Sequence, residues 1–414
     1  MKKVLIFLFV VSLLFNTAIF AEDLADISEK DVLFSCPVYP EFGKDSVKIG
    51  LSQICSASAL RFSYNPDTGF LYAEDDGRKV YVKIIGGNAE FNEADLVLDN
   101  SIGADMASLY RFKAFITIME QGIKSTFSLL AEAALEYTAE GPKLVLREIG
   151  TSSQTIDTGN INEYLEDNML LVNKYNTLDR SYSPPELIYS KPIRGRSTVS
   201  LRLDRDAVEQ LNYMLNAAYR EGVSGMVITS AFRTYEKQTS LYNNKTSTLS
   251  RHMSRTAAEK EASKVVAVPG SSEHQTGLAV DICSEGVGLI SNFADTRQGK
   301  WLKENSWRFG FIVRYPVDKT EITGIIYEPW HVRYVGESHS EIMKLKDMCL
   351  EEYVEYLKAN QVIYHSNSIG ENYLVQYINK PDFNLSGMTL SLSDTSTWSI
   401  SECTKDSYIL TIKL

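Results

Sequence analysis

Two dense polar motifs, far apart in the chain, have to meet in space if either is to do chemistry. The first reads Gly270-Ser271-Ser272-Glu273-His274-Gln275-Thr276-Gly277-Leu278-Ala279-Val280-Asp281 and the second Glu328-Pro329-Trp330-His331-Val332-Arg333. Only five histidines occur in the chain, and one sits in each motif. A hydrolytic zinc site needs three ligands drawn from imidazole and carboxylate, with one tetrahedral position left open. It also needs a carboxylate outside the ligand set to take a proton from the attacking water, and a cation or N–H donor facing the oxyanion. The sequence offers one candidate for each role: His274, Asp281 and His331 as ligands of a single zinc ion, Glu328 as base, and Arg233 of Ser230-Ala231-Phe232-Arg233-Thr234 as the positive charge.

These assignments constrain the fold. The loop at His274 must turn back over a strand that ends near Asp281, with Gly277 allowing the tight turn and Ala279 leaving room beneath the ion. Glu328 and His331 are three apart, which on a regular strand sends them to opposite faces. Pro329 must therefore mark a bulge or strand end that turns both inward. No His-Glu-x-x-His occurs, which excludes a helix-borne zinc site of that kind.

Ser272-x-His274-x-x-Gly277-x-Ala279-x-Asp281 followed by Glu328-x-Trp330-His331 resembles the pattern of the D-alanyl-D-alanine carboxypeptidases of the vancomycin-resistance (VanY) type, part of a wider group of cell-wall zinc peptidases. Ser230 to Thr234 with Gln238, and Leu171-Val172-Asn173-Lys174 with Leu178, Tyr182 and Pro184, match further segments, so the likeness covers residues 168–360. It implies an α+β fold in which helices flank a small antiparallel sheet. It also implies zinc on His274, Asp281 and His331, Glu328 as general base, and Arg233 on the reacting carbonyl oxygen. Ser272 and Gln238 would hold the terminal carboxylate, and Tyr182 would line the pocket. The implied substrate is a peptidoglycan stem peptide losing its terminal D-alanine. L,D-carboxypeptidase action, endopeptidase action and non-catalytic wall binding stay open, although a pure binder would have no need of Glu328. Glu273 is expected to be solvated, Trp330 to shape the wall beside His331, and His252, His339 and His365 to face solvent or cap helices.

Composition removes other classes. The net charge is −11 and the pI about 5.2, so no basic surplus exists to neutralise nucleic-acid phosphates or to dock on an anionic membrane. Lys2 and Lys3 before the apolar run Val4–Phe20, with Ala21 at its end, read as a secretory signal over residues 1–21. Membrane association is expected only if that segment is retained, and the oligomeric state stays open. Five cysteines without a C-x-x-C pair argue against a cysteine-built zinc site, and a Cys36–Cys55 bridge is the one pairing suggested.

The rest of the chain reads as flanking modules. Residues 22–150 form an N-terminal α+β module, with a turn at Asn65-Pro66-Asp67-Thr68-Gly69 and a helix over Phe115–Gln121. Residues 45–148 are similar to the small module at the start of copper amine oxidases, reused as a stalk, which implies a spacer or wall-contact role. Residues 151–167 read as a polar linker, 168–364 as the peptidase domain, and 365–414 as a β-rich C-terminal appendage. Within the peptidase domain a helix is expected over Asp206–Arg220, from the spacing of Val208, Leu211, Leu215 and Ala218, and a single helix over Ser340–Leu357.

Overall fold

The computed structural model describes residues 32–414, except 39, 43–45, 59–61, 76–77, 88, 93–94, 100–110, 121–124, 139–140, 149–151, 157–160, 162, 193, 381–387 and 393–395. The expected signal segment and the side chains of Cys36 and Cys55 lie outside what is described. Among the described residues no helix is long and apolar enough to cross a membrane. The chain forms two compact units. One comprises Met1–Tyr164, Val362–Trp398 and Thr411–Leu414; the other comprises Leu165–Gln361 and Ser399–Leu410.

In the first unit, antiparallel strands Val32–Pro37, Gly141–Glu148, Ser125–Thr138, Arg111–Glu120, Arg78–Gly87, Phe70–Asp75 and Ser63–Asn65 lie side by side in that order. A smaller sheet is built from Glu41–Phe42, Ser46–Gly50, Asp95–Asp99 and Ala89–Phe91, and a helix spans Leu51–Ser58. The helix expected at Phe115–Gln121 is instead part of the strand Arg111–Glu120. Ile116, Thr117 and Ile118 are β-branched residues that suit a pleated surface better than a helix turn.

Two boundaries also differ from expectation. Ser152–Ile156, read as linker, is a strand paired antiparallel with Met388–Leu392, which itself pairs parallel with Ser125–Thr138. The C-terminal region is therefore not a separate appendage: Val362–Trp398 completes the first unit and Ser399–Leu410 belongs to the second.

The second unit holds a five-stranded sheet. We label its strands β1 (Arg196–Ser197), β2 (Met226–Ser230), β3 (Ala279–Ser284), β4 (Phe311–Tyr315) and β5 (Glu328–Tyr334); they lie in the order β1-β2-β3-β5-β4. Only the short edge strand β1 runs parallel to its neighbour. All six residues of the central β3 are buried. Helix α1 (Arg205–Arg220) starts where the Asp204 carboxylate accepts from the Asp206 and Ala207 amides, satisfying two donors of the first turn. It lays Val208, Leu211 and Leu215 into the core that also holds Val280, Ile282 and Val332, as its periodicity requires. Helices α2 (Tyr235–Leu249) and α3 (Arg255–Ala262) follow β2, and α4 (Arg297–Asn305) lies between β3 and β4.

The helix expected over Ser340–Leu357 is two helices, α5 (Glu337–Lys346) and α6 (Leu350–Asn360). Asp347 ends the first in a left-handed conformation, φ 52°. The backbone amide of Cys349 then bonds Glu352, opening the second.

Candidate metal centre

The pairing of β3 with β5 creates the site. Asp281 stands directly opposite His331 in the ladder. Between β4 and β5 the register runs from Val313↔Val332 to Tyr315↔Glu328, so two steps on one strand span four on the other. Pro329 lies in this bulge, where its missing N–H costs no ladder bond. The distortion turns Glu328 and His331 toward the same cavity, as the spacing demanded, and both are buried.

His274 arrives from a 3-10 turn, Glu273–Thr276, closed by Gly277 at φ 77°. The left-handed backbone there favours glycine, and a Cβ would also press on Leu187 Cδ2 at 2.5 Å and on the Asp204 amide nitrogen at 3.2 Å. The Arg233 amide donates to the His274 carbonyl at 2.9 Å, tying the end of β2 to the motif.

His274, Asp281 and His331 each offer a ligand atom, and these atoms lie within 4.8 Å of one another. His274 Nδ1–H donates to the Ala231 carbonyl at 2.7 Å, so the lone pair is on Nε2. That buried Nε2 has no hydrogen-bond partner and stands 3.2 Å from Asp281 Oδ2. Burial, reinforced by Arg233, pushes the imidazole down to about 4, which keeps it neutral. His331 presents Nδ1 to Asp281 Oδ1 at 3.0 Å. Burial alone would lower its pKa, but the contacts with Asp281 and Glu273 win and push it up to about 9. The Asp281 carboxyl overcomes its own burial through the two imidazoles and is held well below the usual range. A neutral imidazole, a carboxylate and a second imidazole with a displaceable proton are the donor set of a divalent ion.

Glu328 Oε2 is 3.9 Å from His331 Nδ1, and no hydrogen bond from the described residues occupies its carboxylate. Burial pushes that carboxyl up to about 7; Asp281 adds to the effect, while His331 and Arg233 oppose it. Arg233 lines the same cavity, and burial lowers its pKa against the pull of Asp281 and Glu328. The cavity holds about 460 Å³.

Ser272 also lines the cavity, and its side chain makes no capping bond in the turn it precedes. Thr276 ties the loop instead, donating to the Glu273 carbonyl and accepting from the Leu278 amide. Gln238 lines the wall too; one N–H of its Nε2 donates to the Ala267 carbonyl at 2.6 Å, and its buried Oε1 has no partner. A carbonyl partner fixes the amide orientation. The contact expected of Gln238 with a terminal carboxylate would fall to the second N–H of the same amide. Tyr182 is not among the lining residues, because its hydroxyl is spent on Asp167.

Glu273 departs furthest from expectation. Far from being solvated, it is 1% exposed. Its Oε1 accepts from Arg314 Nε at 2.7 Å and from Arg333 Nη1 at 3.0 Å, while Oε2 lies 3.5 Å from His331 Nε2. Burial alone would raise this carboxyl, but the two guanidinium groups hold it well below the usual range. Arg314 in turn makes a two-pronged bond to Glu351 at 2.8 and 2.7 Å. Arg333 Nη2 donates to the carbonyls of Asp167, Asn168 and Leu170.

Glu273 thus sets a buried carboxylate 3.5 Å from the far nitrogen of His331, without a hydrogen bond to it, and its charge favours the ring orientation that turns Nδ1 to the ion. Glu273→Gln is expected to weaken metal affinity roughly ten- to a hundredfold, read by metal-binding calorimetry. Glu351→Gln removes a carboxylate from the same Arg314 without touching His331, so it is the control and should retain the metal. Equal losses in both variants would show that the network only stabilises the fold. Tyr315, whose ring is 5.0 Å from that of His331, also lines the cavity, and burial keeps its hydroxyl protonated. No spacing rule marks either residue. His339, expected to face solvent or cap a helix, is 5% exposed and bonds the Tyr353 hydroxyl.

The profile of the VanY family, described as D-alanyl-D-alanine carboxypeptidase, matches residues 200–337. A D-alanyl-D-alanine carboxypeptidase of Enterococcus faecium is 36% identical over 246 residues, 58% of this chain and 74% of that protein. One from Enterococcus faecalis is 38% identical over 190 residues, covering 46% and 66% respectively. Among solved structures, the VanB-type D,D-pentapeptidase VanY in complex with Zn(II) is 39% identical over 46% of this chain and 99% of its own, with a TM-score of 0.40. The LdcB LD-carboxypeptidase is 38% identical over 45% of this chain and 84% of its own, also at 0.40. On the sequence relationship to the Enterococcus faecium protein, and with the motif residues gathered at one site, the chain belongs to the VanY family of D-alanyl-D-alanine carboxypeptidases.

Proposed function

We propose that this protein is a zinc-dependent carboxypeptidase that removes the terminal D-alanine from peptidoglycan stem peptides, acting outside the cytoplasm as its leader-like N-terminus suggests. The observation that carries this reading is the convergence of two imidazoles and one aspartate beside an unspent carboxylate, Glu328. Two nitrogens and a carboxylate oxygen with an open fourth position suit zinc. When bound, zinc supplies Lewis acidity and makes water acidic enough to attack near neutral pH.

The protein's own groups do the rest. Glu328, buried and poised near neutrality, takes the proton of the attacking water and returns it to the departing amine. The Arg233 guanidinium supplies fixed positive charge where the carbonyl oxygen becomes an oxyanion. Ser272, its hydroxyl free of capping, donates to the terminal carboxylate, which favours exopeptidase action.

Incubating the zinc-loaded protein with pentapeptide and tetrapeptide stems and reading product masses tests the proposal. Release of one D-alanine from the pentapeptide alone is expected. Release from the tetrapeptide instead would make the protein an L,D-carboxypeptidase. Cleavage of crosslinked dimers alone would make it an endopeptidase, and binding without any product would leave a wall-binding protein.

A further inference from the structure

Among the described residues one phenol lines the cavity, and the mechanism above leaves it without a task. Tyr315 ends β4 directly opposite Glu328 in the ladder, so the two side chains leave the sheet on the same face. Its ring lies 5.0 Å from the His331 ring and 4.9 Å from the guanidinium carbon of Arg314. Packing against an imidazole and a cation holds the ring in place without engaging its oxygen.

The Tyr315 hydroxyl has no acceptor among the described residues, yet it is not one of the buried polar atoms closed off from every surface. The residue is 6% exposed and lines the cavity, so the surface left to its oxygen opens there. Tyr182, by contrast, spends its hydroxyl on Asp167. A donor in such a place is satisfied by water or by a ligand. Burial, helped by Glu273, keeps the phenol protonated, so it stays a donor.

The neighbours of Tyr315 decide which substrate oxygen it meets. Glu328 and His331, the base and a ligand, flank the carbonyl that reacts, whereas Ser272 is the donor to the terminal carboxylate. Arg233 is close enough for Tyr315 to act on its charge. A donor set among these three groups serves the reacting carbonyl rather than a group one residue away. Oxyanion sites work through several fixed donors aimed at the charge as it develops. Arg233 alone gives this one a single side chain.

We propose that Tyr315 is a further catalytic residue, whose hydroxyl joins Arg233 in donating to the carbonyl oxygen as it becomes an oxyanion. The phenol proton stays on its own oxygen throughout, so Glu328 remains the group that moves protons. This rests on the carboxypeptidase reading above and adds a donor to it.

Tyr315→Phe removes the oxygen and keeps the ring, so the packing on His331 and Arg314 should survive, with zinc content and melting temperature as in the wild type. On the stem pentapeptide kcat should fall about 10²-fold, the scale of one oxyanion donor. KM should not change, because the bond forms only in the transition state. A phosphinate analogue of D-alanyl-D-alanine carries a tetrahedral anion where the oxyanion forms. Calorimetry should show it binding the zinc-loaded variant more weakly by a similar factor. Loss of zinc from the variant, a raised KM with kcat kept, or unchanged phosphinate affinity would each overturn the assignment. If the wild type cleaves no stem peptide while the phosphinate still distinguishes the two proteins, the carboxypeptidase reading falls and the donor stands.

Discussion

Glu328→Gln is expected to keep the metal and lose turnover by roughly 10²- to 10⁴-fold, the usual contribution of a positioned general base. The amide matches the carboxylate in size and shape, so the bulge at Pro329 and the pairing of Tyr315 with Glu328 should survive. It cannot accept a proton. Glu328 is also outside the ligand group, so the three donors keep their positions. Replacing a carboxylate that burial already pushes up to about 7 removes a costly buried charge, so stability should not fall. Zinc content and kcat on the pentapeptide check this; full activity in a variant of normal zinc content would refute the assignment of the base.

Stripping the metal is expected to abolish turnover reversibly and to lower the melting temperature, because a ligand bound only by the folded state stabilises it by mass action. The loss should also depend on pH in a definite direction. In the metal-free site the His331 imidazole is pushed up to about 9, and its proton must leave before Nδ1 can ligate. Below about 9 the proton competes with the ion, so apparent affinity falls as pH falls, by up to about tenfold per unit. His274 adds nothing above about 4, since it is already neutral there. A chelator should therefore inactivate the protein more readily at pH 6 than at pH 8, and added zinc should restore activity. Unchanged turnover after verified metal removal would rule out the mechanism.

The centre was legible because its constraints are local and chemical. Two histidines in polar motifs, an aspartate, a glutamate and an arginine left one residue for each role, and the Glu-Pro-Trp-His spacing required the bulge found between β4 and β5. What supports the centre was not legible. Glu273 looks like any surface acid until Arg314 and Arg333, both fully buried, arrive from other strands. One N–H of Gln238 is taken by the Ala267 carbonyl, a contact that depends on how the 265–267 segment folds back on α2.

The first unit shows the same limit. Phe115-Ile116-Thr117-Ile118-Met119 is a short apolar run that periodicity alone cannot assign to helix or strand. Ser152–Ile156 looks like linker because its partner, Met388–Leu392, is more than two hundred residues away in the chain. Register between such distant strands is fixed by the assembled sheet rather than by either segment.

The account stands or falls on the three ligands, and counting zinc in purified protein after dialysis tests it most directly. One zinc per chain is expected for the wild type, with essentially none retained by His274→Ala, Asp281→Asn or His331→Ala, each shown by circular dichroism to be folded. A wild type that binds no zinc, or folded single-ligand variants that hold it as tightly as the wild type, would contradict the account.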